Sequence, residues 1–168
     1  AFLYFEGANS VATVFVNREY VTEHLGGYTA FCCEITDFLK DGGNSLEVWV
    51  SNAFRSDVPP LTGDFNIYGG LHRPVHLIIT EQDCIDPCFF ASPGVLVRQN
   101  DISASKAEFT VSTLVSVSGG KAAQVRTGVF DADGRELCSG TAGITGDSAD
   151  ISFKLASPRL WNGRRDPY

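Results

Sequence analysis

The sequence predicts an all-β protein made of two consecutive sandwiches, and three observations carry that prediction. Apolar and polar residues alternate: in "EFTVSTLVSV", Phe109, Val111, Thr113, Val115 and Val117 fall on one face. In "ISFKLAS", Ile151, Phe153 and Leu155 share a face while Ser152 and Lys154 point outward. No stretch sustains a helical period over about ten residues, and the strand-like runs are short and punctuated by turn residues, the pattern of sandwiches rather than of α/β folds.

Taken in order, the runs "FLYFEG" and "VATVFVN" open the chain, and Cys32 and Cys33 sit on a third run. "ITDFLKDGGN" is the one helix-like spot, with Thr36 or Asp37 placed to cap a single turn that Gly42 and Gly43 then end. "SLEVWVS" and "RPVHLII" follow, separated by the loop "PPLTGDFNIYGG". In "CIDPCFFASPGVL", Pro87, Pro93 and Gly94 break the pattern, which places a domain boundary between residues 1–92 and 93–168. The first piece is short of strands for a closed jelly roll, and the second has the size of a small sandwich. Its runs are "GVLVRQ", "EFTVSTLVSV", "AAQVRTGVFD" and "ISFKLAS", with Asp133-Gly134 as a tight hairpin turn.

Composition narrows the function. Of 168 residues, 43% are apolar and 20% charged, ordinary for a chain that buries a core. Thirteen basic residues against 20 acidic ones leave a net charge of −7, which argues against a nucleic-acid or anionic-membrane partner, since phosphate contact needs clustered Lys and Arg. No apolar run approaches the roughly 18 residues of a membrane-spanning helix. The chain contains no Met, starts abruptly with "AFLYFEG" and stops at "RRDPY", so it is expected to be a piece of a longer protein. The five cysteines are irregularly spaced: Cys32 and Cys33 point to opposite faces of a strand, while Cys84, Cys88 and Cys138 match no complete zinc pattern. Buried free thiols are the default, with a local Cys84–Cys88 disulfide as the alternative.

Nucleophilic-hydrolase, zinc-protease and phosphate-loop motifs are absent. His72 and His76, four residues apart, read as a half-exposed strand face rather than a ligand pair. Asp57 and Asp64 lie on one loop with no second element to oppose them, so they do not make the facing carboxylate pair of a glycosidase. Phe54, Phe65, Tyr68 and Trp161 fall in loops, as sugar-stacking residues or as plugs of the sandwich ends. On residue type alone, Asp64 in its Pro- and Gly-rich loop reads as a turn-capping aspartate.

Four stretches in order resemble glycoside hydrolase family 2, in its β-galactosidase-like form. "YFEGANSVATVFVNREYVTEHLGGYTAFCCEITDFLKDGGNSLEVWVSN" looks like the family's jelly-roll-like sugar-binding domain, and "DFNIYGGLHRPVHLI" is similar to that domain's closing motif. "ASPGVLVRQNDIS" resembles the entry to the immunoglobulin-like second domain, and "PRLWNGRRDPY" the connector to a catalytic barrel. The match covers most of residues 3–168. Two positions depart from it: Arg18 stands where the family usually has Gly, and His72 replaces a frequent Tyr.

The resemblance implies a partial sugar-binding jelly roll over 1–92, an immunoglobulin-like sandwich over 93–168, and a catalytic barrel beyond this chain. Intact members are retaining exo-β-glycosidases whose two catalytic glutamates lie on that barrel, so no catalytic residue is assigned here. By resemblance Asp64 and Asn9 are the substrate-binding residues, facing a terminal β-galactoside; a carboxylate suits this because it accepts strong hydrogen bonds from two hydroxyls. No cofactor is expected in this chain, Na⁺ or Mg²⁺ belonging to the intact enzyme. The resemblance further points to a homo-oligomer and to a periplasmic or secreted enzyme. The open alternatives are a β-glucuronidase or β-mannosidase parent, a stand-alone carbohydrate-binding module, and an adhesive sandwich repeat.

Overall fold

The computed structural model describes residues 1–59, 63, 66–118 and 123–165. Their regular structure is antiparallel β-strand with two short 3-10 turns, the all-β architecture that alternation predicts. The chain forms two compact units, Ala1–Glu81 with Pro87–Pro93 and Gln82–Asp86 with Gly94–Tyr168.

The first unit contains β1 (Phe2–Phe5), β2 (Ala8–Asn9), β3 (Val11–Val16), β4 (Glu19–Leu25), β5 (Phe31–Glu34), β6 (Leu46–Ser51), β7 (Gly70–Leu71) and β8 (Val75–Ile78). They pair as a β5-β1-β8 sheet, a β4-β3-β6 sheet and the short β2-β7 ribbon. The two larger sheets share one core. On β3, Ala12, Val14 and Val16 are buried while Val11, Thr13 and Phe15 face partly outward, the period of two that a half-buried strand requires. From β1 and β5, Leu3, Phe5, Phe31 and Cys33 join them. Phe5 is fully buried, which stabilises the fold by about 1.5–3 kcal/mol relative to exposure. Its ring stacks on Phe31 at 4.3 Å, and His24 stacks on Phe31 at the same centroid distance.

A two-residue turn, Asn17-Arg18, joins β3 to β4, and both residues have positive φ (53° and 69°), as a type I′ hairpin demands. The Asn17 side chain holds this turn. Its amide donates to Phe38 O and to Asn44 Oδ1, each at 2.8 Å, and its Oδ1 accepts from Ser45 N. The helix-like spot is smaller than the sequence suggests. A 3-10 turn over Thr36–Phe38 starts after Ile35 with no side-chain cap and ends at Leu39, before Gly42. Thr36 Oγ1 donates instead to Glu34 Oε1 at 2.8 Å, so its hydroxyl serves the preceding strand rather than a helix end.

The second unit contains β9 (Cys84–Ile85), β10 (Val95–Ile102), β11 (Lys106–Ser116), β12 (Gln124–Phe130), β13 (Glu136–Gly143) and β14 (Ser148–Ala156). A β10-β11-β14 sheet carries β9 on β11, and β12 pairs with β13. Ala107, Val111, Val115, Ala149 and Phe153 supply its core. Buried Thr110 accepts from Asn100 Nδ2 at 2.9 Å and shares a hydrogen bond with Ser152 Oγ at 3.1 Å, which satisfies the hydroxyl. The β12–β13 hairpin turns at Asp133-Gly134. Asp131 Oδ1 accepts from the backbone N–H groups of Asp133 and Arg135, and Gly134 takes φ +79°. None of the five cysteines is joined in a disulfide; Cys33 is buried and the other four are half-buried.

Candidate functional site

The two short strands β2 and β7 position a buried side-chain oxygen that has no partner among the described residues. Asn9 pairs with Gly70 in that ribbon and is 1% exposed. Its Nδ2 donates to Tyr68 O at 2.7 Å, which fixes the amide orientation. Its Oδ1 is buried with no hydrogen-bond partner among the described residues. An acceptor left unpaired in this way costs about 1–3 kcal/mol, so it marks a place where a donor is missing.

Asn9 also lines a pocket of about 160 Å³, to which Ser10, Asn52, Phe54, Arg55 and Val58 contribute. Gly69 lets the wall close. A Cβ there would stand 2.8 Å from Asn52 Cγ, closer than side chains tolerate, so the bare glycine allows the ribbon to lie against the Asn52 amide. Gly70 follows with φ +103°, a conformation that side-chain-bearing residues avoid.

The loop after β6 supplies most of the remaining lining. Arg55 grips Asp57 through Nε (3.0 Å) and Nη2 (2.7 Å), a two-pronged pair that keeps the local charge near zero. The Arg55 hydrogen bond holds the Asp57 carboxyl below the usual carboxylate range. Val58, 4% exposed, anchors the end of this loop, and its N–H donates to Arg55 O.

Of the residues singled out in the sequence, the structure brings Asn9 and Phe54 to this pocket. Asp64 and Phe65 lie outside the described residues. Tyr68 is 74% exposed and contributes its carbonyl to Asn9, while its hydroxyl accepts from Asn66 Nδ2 at 3.1 Å. Trp161, 76% exposed, belongs to the second unit. His72 and His76 do not act together: His76 Nε2 bonds Glu6 Oε1 at 2.8 Å, and the His72 ring packs edge-on to Tyr28 at 5.5 Å. Arg73, from the same "GGLHRPV" stretch, donates to Glu6 O and Tyr28 O and so ties β1 to the loop before β5. Asn52 and Arg55 escaped sequence reasoning. The usable signal was the polar "SNAFR" directly after a strand, facing a Gly-Gly pair later in the chain.

A larger cavity of about 420 Å³ in the first unit is lined by apolar groups with His24, Cys32 and Cys88. His24 Nε2 already has Thr29 Oγ1 at 3.1 Å, and burial lowers the pKa of its ring. This cavity lacks the convergent open polar groups expected of a ligand site. No group of three His, Cys, Asp or Glu able to hold a metal ion occurs among the described residues.

Residues 1–81 match the family profile described as "Glycosyl hydrolases family 2, sugar binding domain". Over 183 aligned positions the chain is 42% identical to a beta-glucuronidase of Bacteroides fragilis, covering 99% of this chain and 25% of that protein. The crystal structure of a putative beta-galactosidase from Bacteroides fragilis superposes with a TM-score of 0.89 at 38% identity, over 99% of this chain and 26% of that one. Bacteroides uniformis beta-glucuronidase 2, solved covalently bound to cyclophellitol-6-carboxylate aziridine, gives 0.83 at 30% identity, over 95% and 20%. The chain thus spans about a quarter of the length of the curated relative it matches.

Proposed function

We propose, from the match of residues 1–81 to the glycosyl hydrolases family 2 sugar binding domain, that this chain is the part of a retaining exo-β-glycosidase that supplies one wall of its sugar site. The observation that carries the reading is the buried, unpartnered Oδ1 of Asn9, a residue that lines a small pocket. A sugar hydroxyl is the donor that atom lacks. One hydroxyl hydrogen bonded to Oδ1 removes the desolvation penalty and fixes the ring against the β2–β7 ribbon. At about 160 Å³ the pocket lies below the 300–1,000 Å³ of sites for drug-sized ligands, which suits a single terminal sugar rather than a chain of them. Asp64, five residues before Gly69 in the same loop, is assigned the second sugar contact on its place in the motif. Both residues act by binding and orienting; the paired carboxylates that break the glycosidic bond belong to the rest of the parent protein.

The sugar is a terminal β-galactoside on the motif match. A β-glucuronide is the second reading, favoured by the 42% identity to a protein named beta-glucuronidase. Nitrophenyl β-galactoside and nitrophenyl β-glucuronide, compared by kcat/KM on the full-length product of the gene encoding this chain, decide between them. In that enzyme Asn9→Ala lowers kcat/KM on the preferred substrate by about 5- to 10-fold, the worth of one neutral hydrogen bond. Thermal unfolding of the variant controls for the lost bond to Tyr68 O. Unchanged kcat/KM in a folded variant overturns the assignment.

A further inference from the structure

We propose that Phe54 is a stacking surface for the group attached to the terminal sugar, so that this domain selects the leaving-group side of the substrate as well as the sugar. The inference rests on the reading of the Asn9 pocket as a sugar site and extends it to the rim. Asn9 and Phe54 line one pocket but differ sharply in depth, at 1% and 75% exposure. A ring bound at Asn9 fills a space of about 160 Å³, so whatever the ring carries must leave through the mouth. Phe54 stands there with most of its ring facing solvent. An aromatic ring of that size is ordinarily buried, and one held exposed beside a polar pocket is placed to meet a flat ligand face.

The backbone that carries Phe54 is also held in place. Ala53 N donates to Ser51 Oγ at 3.3 Å on one side of it. On the other side the Arg55–Asp57 pair and the N–H of buried Val58 bonding to Arg55 O lock the turn. A backbone held before binding leaves only the side-chain rotation of Phe54 to be lost on stacking, which lowers the entropic cost of the contact. The charge around it is balanced by that ion pair, so the surface selects for shape and not for charge. The ligand chemistry is therefore a flat ring face, supplied by an aromatic aglycone or by a second pyranose.

The test uses the full-length enzyme and three β-glycosides of its preferred sugar: nitrophenyl, a disaccharide, and methyl. Phe54→Ala is expected to lower kcat/KM on at least one ring-bearing substrate by about 3- to 10-fold more than on the methyl glycoside. Phe54→Tyr is expected to restore the loss. A loss confined to the nitrophenyl substrate identifies an aromatic aglycone, and one confined to the disaccharide identifies a second sugar. Equal loss on the methyl glycoside, or no loss on either ring substrate, overturns the proposal. Asn9→Ala separates this from the underlying reading, because it lowers kcat/KM on all three substrates alike. If Asn9→Ala is silent while Phe54→Ala discriminates, the sugar assignment fails and the stacking surface stands; an enzyme that turns over none of the three overturns both.

Discussion

Individual residues show where this sequence accepts strain. Arg18 sits at φ +69°, second of the two left-handed residues that a type I′ hairpin needs, at a position suited to glycine. A side chain in the left-handed region costs about 1–2 kcal/mol, whereas glycine there costs nothing sterically but gives the unfolded chain about 0.5–1 kcal/mol more freedom. The steric relief is the larger effect. Arg18→Gly should therefore stabilise the first unit by about 0.5–1 kcal/mol, seen as a higher urea midpoint with an unchanged slope. A lower midpoint would mean that Arg18 makes a compensating contact. The turn persists with arginine because Asn17 fastens it through three side-chain hydrogen bonds to Phe38, Asn44 and Ser45. The hairpin chemistry that the departure from glycine requires is thus found in its neighbour.

At the scale of elements, the ring stack Phe5–Phe31–His24 links strand β1 through β5 to β4. Burial lowers the pKa of His24 from its ordinary 6.5, against weaker opposing hydrogen bonds to Gly26 and Thr29. The sign follows: the unfolded chain takes up the proton more readily, so the stabilising contribution is present above about 6.5 and is lost as pH falls through the lower folded value. The thermal midpoint should fall as pH is lowered from 7 through this range, and His24→Phe should flatten part of that slope; equal slopes would exclude His24 as a contributor. The same strand explains what was legible in the sequence. Val11–Val16 alternates cleanly because one face meets a core, and Lys106–Ser116 does so except at Thr110, which is buried beside Val111. β4, "EYVTEHL", was missed because its register slips by a bulge between Val14 and Phe15 and its charged residues face water. β13, "ELCSGTAG", was missed for a different reason. Its Gly140 must approach Ile151 of β14 without a Cβ, so small residues replace the apolar pattern that marks a strand. Asn52 and Arg55 left no periodic signal at all, since loop residues become a site only when a distant Gly-Gly pair folds against them.

For the whole molecule, the question is whether the proposed sugar wall can work without the rest of a glycosidase. A retaining mechanism needs two carboxyl groups about 5–5.5 Å apart across the scissile bond. The described lining of the Asn9 pocket provides amides, a hydroxyl, a phenyl ring and a guanidinium, but no carboxylate. The acid beside it, Asp57, is held ionised by Arg55 and cannot donate a proton at neutral pH. Even with Asp64 turned inward, one carboxylate leaves the second role unfilled. Binding is limited too, because a pocket with one unpaired acceptor offers a sugar few directional contacts against the entropy of association. The purified 168-residue chain is therefore expected to show no turnover of nitrophenyl β-galactoside or β-glucuronide above buffer, while the full-length enzyme hydrolyses one of them. Titration of the chain with the matching free monosaccharide, followed by chemical-shift changes, should give only millimolar affinity with shifts centred on the Asn9 and Asn52 amides. Turnover by the chain alone would place a complete catalytic pair within these residues and refute the division of labour. Micromolar binding would show that the wall recognises sugar unaided, and would favour a self-sufficient carbohydrate-binding module over a part of a larger site.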